Sequence, residues 1–284
     1  MKRIIFLFIC ICTLILGKEK TKLRAVSTAQ FTTEILLSIG AEDQMIGTSF
    51  LDDKILPSLK KQYDKIPVLS ERAPTKEQFY SINPNFLIGW KSIATEKNLG
   101  TPEELKENGV EVYFTKSQNS SKIDDIYKDI LTLGEKFNVE KNAENVVKNM
   151  KSEIAKIKIK KSEKPVKVFA YDSQETAPFV VGGGGIGNTL IEMAGGENIF
   201  KNTSFSFGTG TWERVLDENP DYIVVVDYGK VNYKDKIKFL KENSPISEIS
   251  AVKENKFIVV PLSYLSAGVR VPYAVKLMAE GFNK

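Results

Sequence analysis

Apolar positions along the chain fall into short β-branched runs separated by stretches with helical spacing. Residues 23–27 (LRAVS) read as a strand and residues 32–39 as a helix closed by Gly40. Residues 45–49 and 66–69 read as further strands. A helix over 76–82 ends at the Asn83-Pro84 break and feeds a strand over 86–89. A helix over 101–108 ends at Gly109 and feeds a strand over 110–114. Residues 123–137 are helical, and in the next stretch Ala143, Val146, Val147, Met150, Ile154 and Ile157 recur at three- and four-residue steps, one face of a long helix that Pro165 stops. Alternation then restarts: strand 166–170, helix 188–194, helix 212–217, strands 222–226 and 257–260, and a closing helix from Pro272. Strand–helix alternation of this kind predicts an α/β protein with parallel sheets covered by helices. The expected organisation is a leader at 1–17, an α/β lobe over 18–141, a linking helix over 142–162 and a second α/β lobe over 163–284.

The halves repeat one another. EILLSIGAED (34–43) parallels TLIEMAGGEN (189–198), each an apolar helix ended by Gly, where the left-handed cap conformation is wanted. EQFYSINPNFLI (77–88) parallels ERVLDENPDYIV (213–224), each with a Glu seven residues before a Pro that feeds an apolar strand. Helix-to-strand turns favour Asn-Pro in any case. Two parallels in the same order point beyond that to an internal duplication.

The first 17 residues change the cellular picture. Lys2 and Arg3 precede an apolar stretch over 4–17, too short for the roughly 20 residues of a membrane-spanning helix and laid out as an export leader. Whether it is cleaved, lipidated at Cys10 or retained stays open, since Ile9 and Ile15 are bulkier than either processing pattern wants. The chain holds two cysteines and no histidine, and both cysteines, Cys10 and Cys12, lie in this leader. That removes Ser-His-Asp and Cys-His nucleophiles, imidazole bases and His-rich zinc sites from consideration. Taking Lys2 and Arg3 away from 40 basic residues leaves 38 against 36 acidic ones. No concentrated positive face for nucleic acid is implied.

Ligands in open parallel sheets bind beyond the carboxyl ends of the strands. The side chains just past those ends are Gln30 and Phe31, Trp90, Tyr171, Asp227 and Tyr228, and Tyr264. Aromatics at so many exits suggest the wall of a cleft for a flat or bulky ligand. Arg72 and Arg270 add forks for carboxylate or another anionic group. The rival reading is enzymatic: residues 182–187 (GGGGIG) satisfy the dinucleotide pattern G-x-G-x-x-G before a helix, which would make the chain a Rossmann-type oxidoreductase. Four consecutive glycines meet most of that pattern trivially, and the acidic residue expected about twenty positions on is missing.

Residues 25–47, the Glu–Asn-Pro–strand motif of each half, the long linking helix and Gly268-Val269-Arg270 together resemble one family. It is the substrate-binding proteins of ABC importers for iron–siderophore, haem and cobalamin ligands. The resemblance covers essentially the whole chain after the leader. It implies two Rossmann-like lobes joined by one helix with the ligand cleft between them, no enzymatic activity, no resident cofactor and a monomer outside the cytoplasm. It also implies a permease dimer as partner, docked through one surface Glu per lobe, with Glu77 and Glu213 at the matching positions. Related binders of bare zinc or manganese use His ligands, and haem would here need Tyr ligation. An iron–siderophore chelate is therefore the leading expectation, with a corrinoid or haem beside it.

Overall fold

The computed structural model describes residues 22–159, 164–229 and 231–284. The expected leader lies outside the described residues. The first lobe comprises β1 (Ala25–Thr28), α1 (Gln30–Ser38), β2 (Met45–Ser49), α2 (Lys60–Tyr63), β3 (Val68–Ser70), α3 (Lys76–Ser81), β4 (Phe86–Gly89), α4 (Pro102–Glu107) and β5 (Glu111–Tyr113). Its five strands run parallel in the order β3-β2-β1-β4-β5. Both faces of this sheet are covered, which is why its strands are nearly continuous apolar runs instead of alternating ones. Phe79, Leu87, Leu99 and Leu105 pack one face, while Ile35, Leu36, Phe86 and Phe137 pack the other.

Two helices follow, α5 (Ile123–Phe137) and α6 (Glu140–Ala155), joined at Asn138, whose φ of 56° lets the chain turn out of one helix and into the next. The linking helix starts and stops earlier than the expected 142–162. Ile157, Lys158 and Ile159 alternate with a period of two, which no helix face can bury, and the helix ends at Ala155. Residues 160–162 of the expected helix lie outside the described residues.

The second lobe comprises β6 (Val166–Ser173), β7 (Phe179–Val181), α7 (Ile186–Met193), β8 (Gly196–Asn198), β9 (Phe207–Thr209), α8 (Trp212–Glu218), β10 (Tyr222–Asp227), α9 (Tyr233–Glu242), α10 (Ser250–Lys253), β11 (Phe257–Pro261) and α11 (Val271–Phe282). Its sheet runs β11-β10-β6-β7-β9, with β8 also pairing β6. It is mixed where an all-parallel sheet was expected, because β6–β7 and β7–β9 are antiparallel. The five residues between β6 and β7 are too few for a parallel crossover, which takes a dozen or more.

The duplication is visible in the backbone. β1 pairs in parallel with the strand after its helix and with the strand after Asn83-Pro84; β6 does the same with β8 and with the strand after Asn219-Pro220. Asn83 and Asn219 have φ of 50° and 42°, and Gly40 and Gly195 have φ of 75° and 91°. Asn and Gly recur at these positions because they tolerate the left-handed region that ends each helix.

One buried ion pair fastens the lobes together. Glu34 on α1 and Arg270 at the start of α11 are 1% and 4% exposed. Their bond is bidentate, with Nε donating to Oε2 at 2.6 Å and Nη2 to Oε1 at 2.5 Å. Arg270 also donates to Ser263 Oγ at 3.0 Å and to the Lys54 carbonyl, and lies 3.5 Å from Asp53. Burial works against the Arg270 charge, and the Glu34 carboxylate more than restores it. Removing one member of such a pair strands the other in a dry site, at a cost of about 3–5 kcal/mol, whereas replacing both with apolar groups is often near neutral. Urea denaturation should accordingly show Glu34→Met and Arg270→Met each strongly destabilised and the double variant recovering at least half of the loss. Additive losses would mean that the pair is not a coupled unit.

Candidate functional site

The carboxyl ends of both sheets face a cleft, and Tyr228 divides it into two compartments. The inner compartment, about 320 Å³, is walled by Phe31, Trp90, Phe179, Phe207, Tyr228 and Leu262. The outer, about 700 Å³, is bordered by Phe50, Asp52, Glu71, Arg72, Tyr228 and Lys236. Both take walls from each lobe.

Local chemistry explains how each wall is held. Ser27, Thr32, Thr33 and Thr48 form a buried hydroxyl chain with links of 2.8 Å, joining β1, α1 and β2 behind Phe31. Phe31 meets Trp90 with ring centroids 4.8 Å apart and planes tilted by 59°, a favoured aromatic geometry. Trp90 leaves β4 just after Gly89, where an added Cβ would meet Thr28 Oγ1 at 2.0 Å, so only glycine lets the strand exit there. Gln118 donates to the Gly89 carbonyl at 3.0 Å and accepts from the Lys91 amide at 3.2 Å, bracketing Trp90. Asp129 fixes the turn that carries Gln118, accepting from Tyr113 Oη at 2.8 Å and from the amides of Lys116 and Ser117. On the floor, Gln30 accepts from the amides of Asp52 and Asp53, and one turn along the same helix Glu34 accepts from Leu56.

On the opposite wall, Tyr228 follows β10 and donates to Asp172 Oδ1 at 2.7 Å. Burial and then this bond push its phenol up to about 12, so it stays protonated at physiological pH. Asp172 lines the inner compartment while its neighbour Tyr171 does not.

Of the sequence candidates, the structure brings Phe31, Trp90, Tyr228 and Arg72 to the cleft. Arg72 stands over the Phe50 ring at 5.5 Å. It does not bring Tyr171, Tyr264 or Arg270 there. β6 runs three residues further than expected, so Tyr171 lies within the strand, stacked among Phe169, Trp212 and Phe239 with its hydroxyl on the Gln174 carbonyl. Tyr264 packs against Tyr273 and the Arg270 guanidinium. Arg270 is turned inward, its donors taken by Glu34, Ser263, Lys54 and Asp53. Glu77 and Glu213 are both exposed and hold the same place, second in a helix behind a Thr cap, Thr75 and Thr211. The Glu77 carboxyl is held below the usual range by hydrogen bonds from its own backbone amide and from Thr75.

Phe179, Phe207, Gln118, Asp172 and Lys236 border the cleft without having stood out in the sequence. Of the floor residues, Gln30 stood out by its place after the first strand; Glu34, polar four residues further on and directly before the apolar run 35–37, carried the signal that could have found it.

The glycine loop has a packing role. An added Cβ at Gly183 would lie 1.8 Å from the Lys201 carbonyl oxygen, and one at Gly184 would lie 2.0 Å from that of Ser204. The amides of Gly182 and Gly184 donate to Ser206 and Phe205, and that of Gly183 to Thr203 Oγ1. These three amides, already bonded to the chain, are not free to cradle a pyrophosphate.

Two α/β lobes facing each other across an aromatic cleft have the form of a ligand-capturing protein. The family described as periplasmic binding protein matches residues 26–264, and the chain belongs to it. A periplasmic binding protein of Veillonella parvula, solved by crystallography, is 34% identical with a TM-score of 0.86, over 93% of this chain and 92% of that one. An uncharacterised ABC transporter substrate-binding lipoprotein of Bacillus subtilis, YvrC, is 25% identical over 92% of this chain and 80% of its own length. A vitamin B12-binding protein of Vibrio parahaemolyticus is 23% identical over 70% of this chain and 69% of its own. These relatives are binding proteins, and the dinucleotide-enzyme reading of residues 182–187 is set aside. No helix among the described residues is long and apolar enough to cross a membrane.

The state of Tyr228 is directly measurable. Difference absorbance at about 295 nm between the protein and its Tyr228→Phe variant should show no phenolate from this residue until roughly pH 11 or above. Ionisation near pH 10 would mean that neither burial nor the Asp172 bond holds the phenol in its protonated form.

Proposed function

We propose that the chain is the extracytoplasmic substrate-binding component of an ABC importer, that it captures a preassembled metal chelate or corrinoid, and that it acts as a monomer with no catalytic step and no resident cofactor. The observation that carries this reading is the character of the inner compartment. Its walls are aromatic, and Tyr228 donates a hydrogen bond to Asp172 while keeping its proton. Among the described residues no group of three or more His, Cys, Asp or Glu is placed to hold a metal ion. A metal entering this cleft has to bring its own coordination shell. A haem lacking an axial ligand would need Tyr228 as phenolate, which its raised pKa opposes. That favours an iron–siderophore or corrinoid over haem. The vitamin B12-binding relative supports the same ligand range.

Trp90 and Tyr228 would clasp the chelate from opposite lobes, with Arg72 engaging it at the rim. Tyr171, Tyr264 and Arg270 would support the walls from behind. Glu77 and Glu213 would dock the permease. Each begins a helix that leads into a strand of its sheet, so the two occupy equivalent places on the two lobes and suit a two-fold symmetric partner, one subunit each. Docking carboxylates gain most when a guanidinium meets them bidentately.

A ligand present at 100 times its Kd stabilises the folded state by about 2.7 kcal/mol, or roughly 5–10 °C in Tm for a chain of this size. A panel of ferric siderophores, cobalamin and haem should contain a member that raises Tm by this amount and quenches tryptophan emission. The quench should vanish in Trp90→Phe, because Trp212 is buried with its indole N–H on the Glu175 carbonyl. No shift with any member would refute the reading, and a shift with NAD would revive the enzyme. Charge reversal of Glu77 and Glu213 to Lys should cut uptake in cells by about tenfold or more while ligand affinity in vitro is unchanged; undiminished uptake would refute the docking role.

A further inference from the structure

Lys236 is a buried cation in an unfavourable place. It lies in the first turns of α9, where the helix dipole favours anions, and it is 4% exposed. A residue serving only to fill that space would be a Leu or a Met, since burying an ammonium costs several kcal/mol unless it is partnered. Its partners are few. Nζ donates to the Val226 carbonyl at 2.6 Å and stands 4.5 Å from the centroid of the Tyr228 ring. Among the described residues no carboxylate reaches ion-pair distance of it. Asp172 and Asp227 exert a longer-range pull, but Asp172 accepts the Tyr228 hydroxyl and Asp227 accepts the Tyr233 amide. With one of three N–H groups on Val226, up to two remain.

Lys236 borders the outer compartment. Across it, the first lobe presents Arg72, with Asp52 and Glu71 beside it. Among the described residues that border it, the carboxylates belong to the first lobe, and the second lobe offers the Lys236 ammonium, held by a carbonyl and against the face of an aromatic ring. A ring–ammonium contact of this kind fixes both partners. Tyr228 belongs to both compartments, so a ligand whose body fills the inner one passes Tyr228 before meeting Lys236.

We propose that Lys236 is a specificity-determining residue that receives an anionic oxygen group, a carboxylate or phosphate, on an arm of the chelate that extends past Tyr228 into the outer compartment. This rests on the chelate reading above and adds to it a charge class and a shape: an apolar body with at least one anionic arm. A coordinatively complete chelate without such an arm leaves the Lys236 donors unused and binds more weakly.

The test uses pairs in which one member carries an anionic arm that the other lacks: cobalamin, with the phosphodiester of its nucleotide arm, against cobinamide, which lacks that arm, and N-succinylferrioxamine B, with a terminal carboxylate, against N-acetylferrioxamine B, which has none. Calorimetric titration of the wild type should show the armed member of a pair bound about tenfold or more tightly. Lys236→Met should reduce that preference to about twofold or less, and Lys236→Arg should keep it. Equal binding of both members by the wild type, or equal weakening of both by Lys236→Met, overturns the inference while leaving the chelate reading intact. Binding of no chelate by the wild type removes the chelate reading itself. Should Lys236→Met fail to fold by circular dichroism, the wild type still decides. Affinity for the armed member must fall between about 50 and about 500 mM KCl more steeply than for the other, and parallel salt dependence overturns the inference.

Discussion

The buried Glu34–Arg270 pair is the contact on which the cleft's shape depends. It joins the first helix of one lobe to the last helix of the other, and through Lys54, Asp53 and Ser263 it draws the cleft floor into the same network. Its worth lies less in net stability, since a buried ion pair roughly breaks even with apolar residues, than in geometry. A bidentate guanidinium–carboxylate fork admits one orientation. Fixing that orientation fixes how far Trp90 on one lobe stands from Tyr228 on the other. A second tie, Thr189 Oγ1 to the Ser121 carbonyl at 2.5 Å, holds the lobes at another point.

Given those walls, the cleft's chemistry is one of capture. The inner compartment supplies aromatic faces, each able to bury ligand surface at about 25 cal/mol per Å², and the outer compartment supplies charge. Tyr228 joins the two, with its hydroxyl anchored on Asp172 and its ring over the Lys236 ammonium. That phenol is a donor already in use, so Tyr228 gives the wall shape and polarity. The chain has no histidine, and both of its cysteines fall within the first 12 residues. That composition suits a protein that holds a metal already enclosed by another molecule.

Much of this was readable from residues whose reasons are local. Asn-Pro and Gly ended helices where the backbone needed positive φ, and the same punctuation in both halves exposed the duplicated topology. Phe31, Trp90 and Tyr228 were found because they follow strand ends, and strand ends in parallel sheets face the ligand side; Arg72 was found as a loop guanidinium suited to an anion. Tyr171 escaped that logic through a strand three residues longer than its β-branched run, since pairing with β7 extends β6 through polar residues. Arg270 looked like a ligand fork because nothing in its sequence neighbourhood reveals a carboxylate 236 positions away. The short antiparallel strands β7 and β9 went unseen because glycine packing against residues 201–206, not apolar periodicity, shapes them. Lys236, a lysine on an otherwise ordinary helix, becomes informative only once its burial is known.

The claim that this cleft receives a metal inside a complete chelate is tested most directly by native mass spectrometry of the protein isolated from its own cells. A mass excess equal to an intact organic chelate with its metal, released together on denaturation, is the predicted result. A bare metal ion, or a nucleotide, in that position would contradict it.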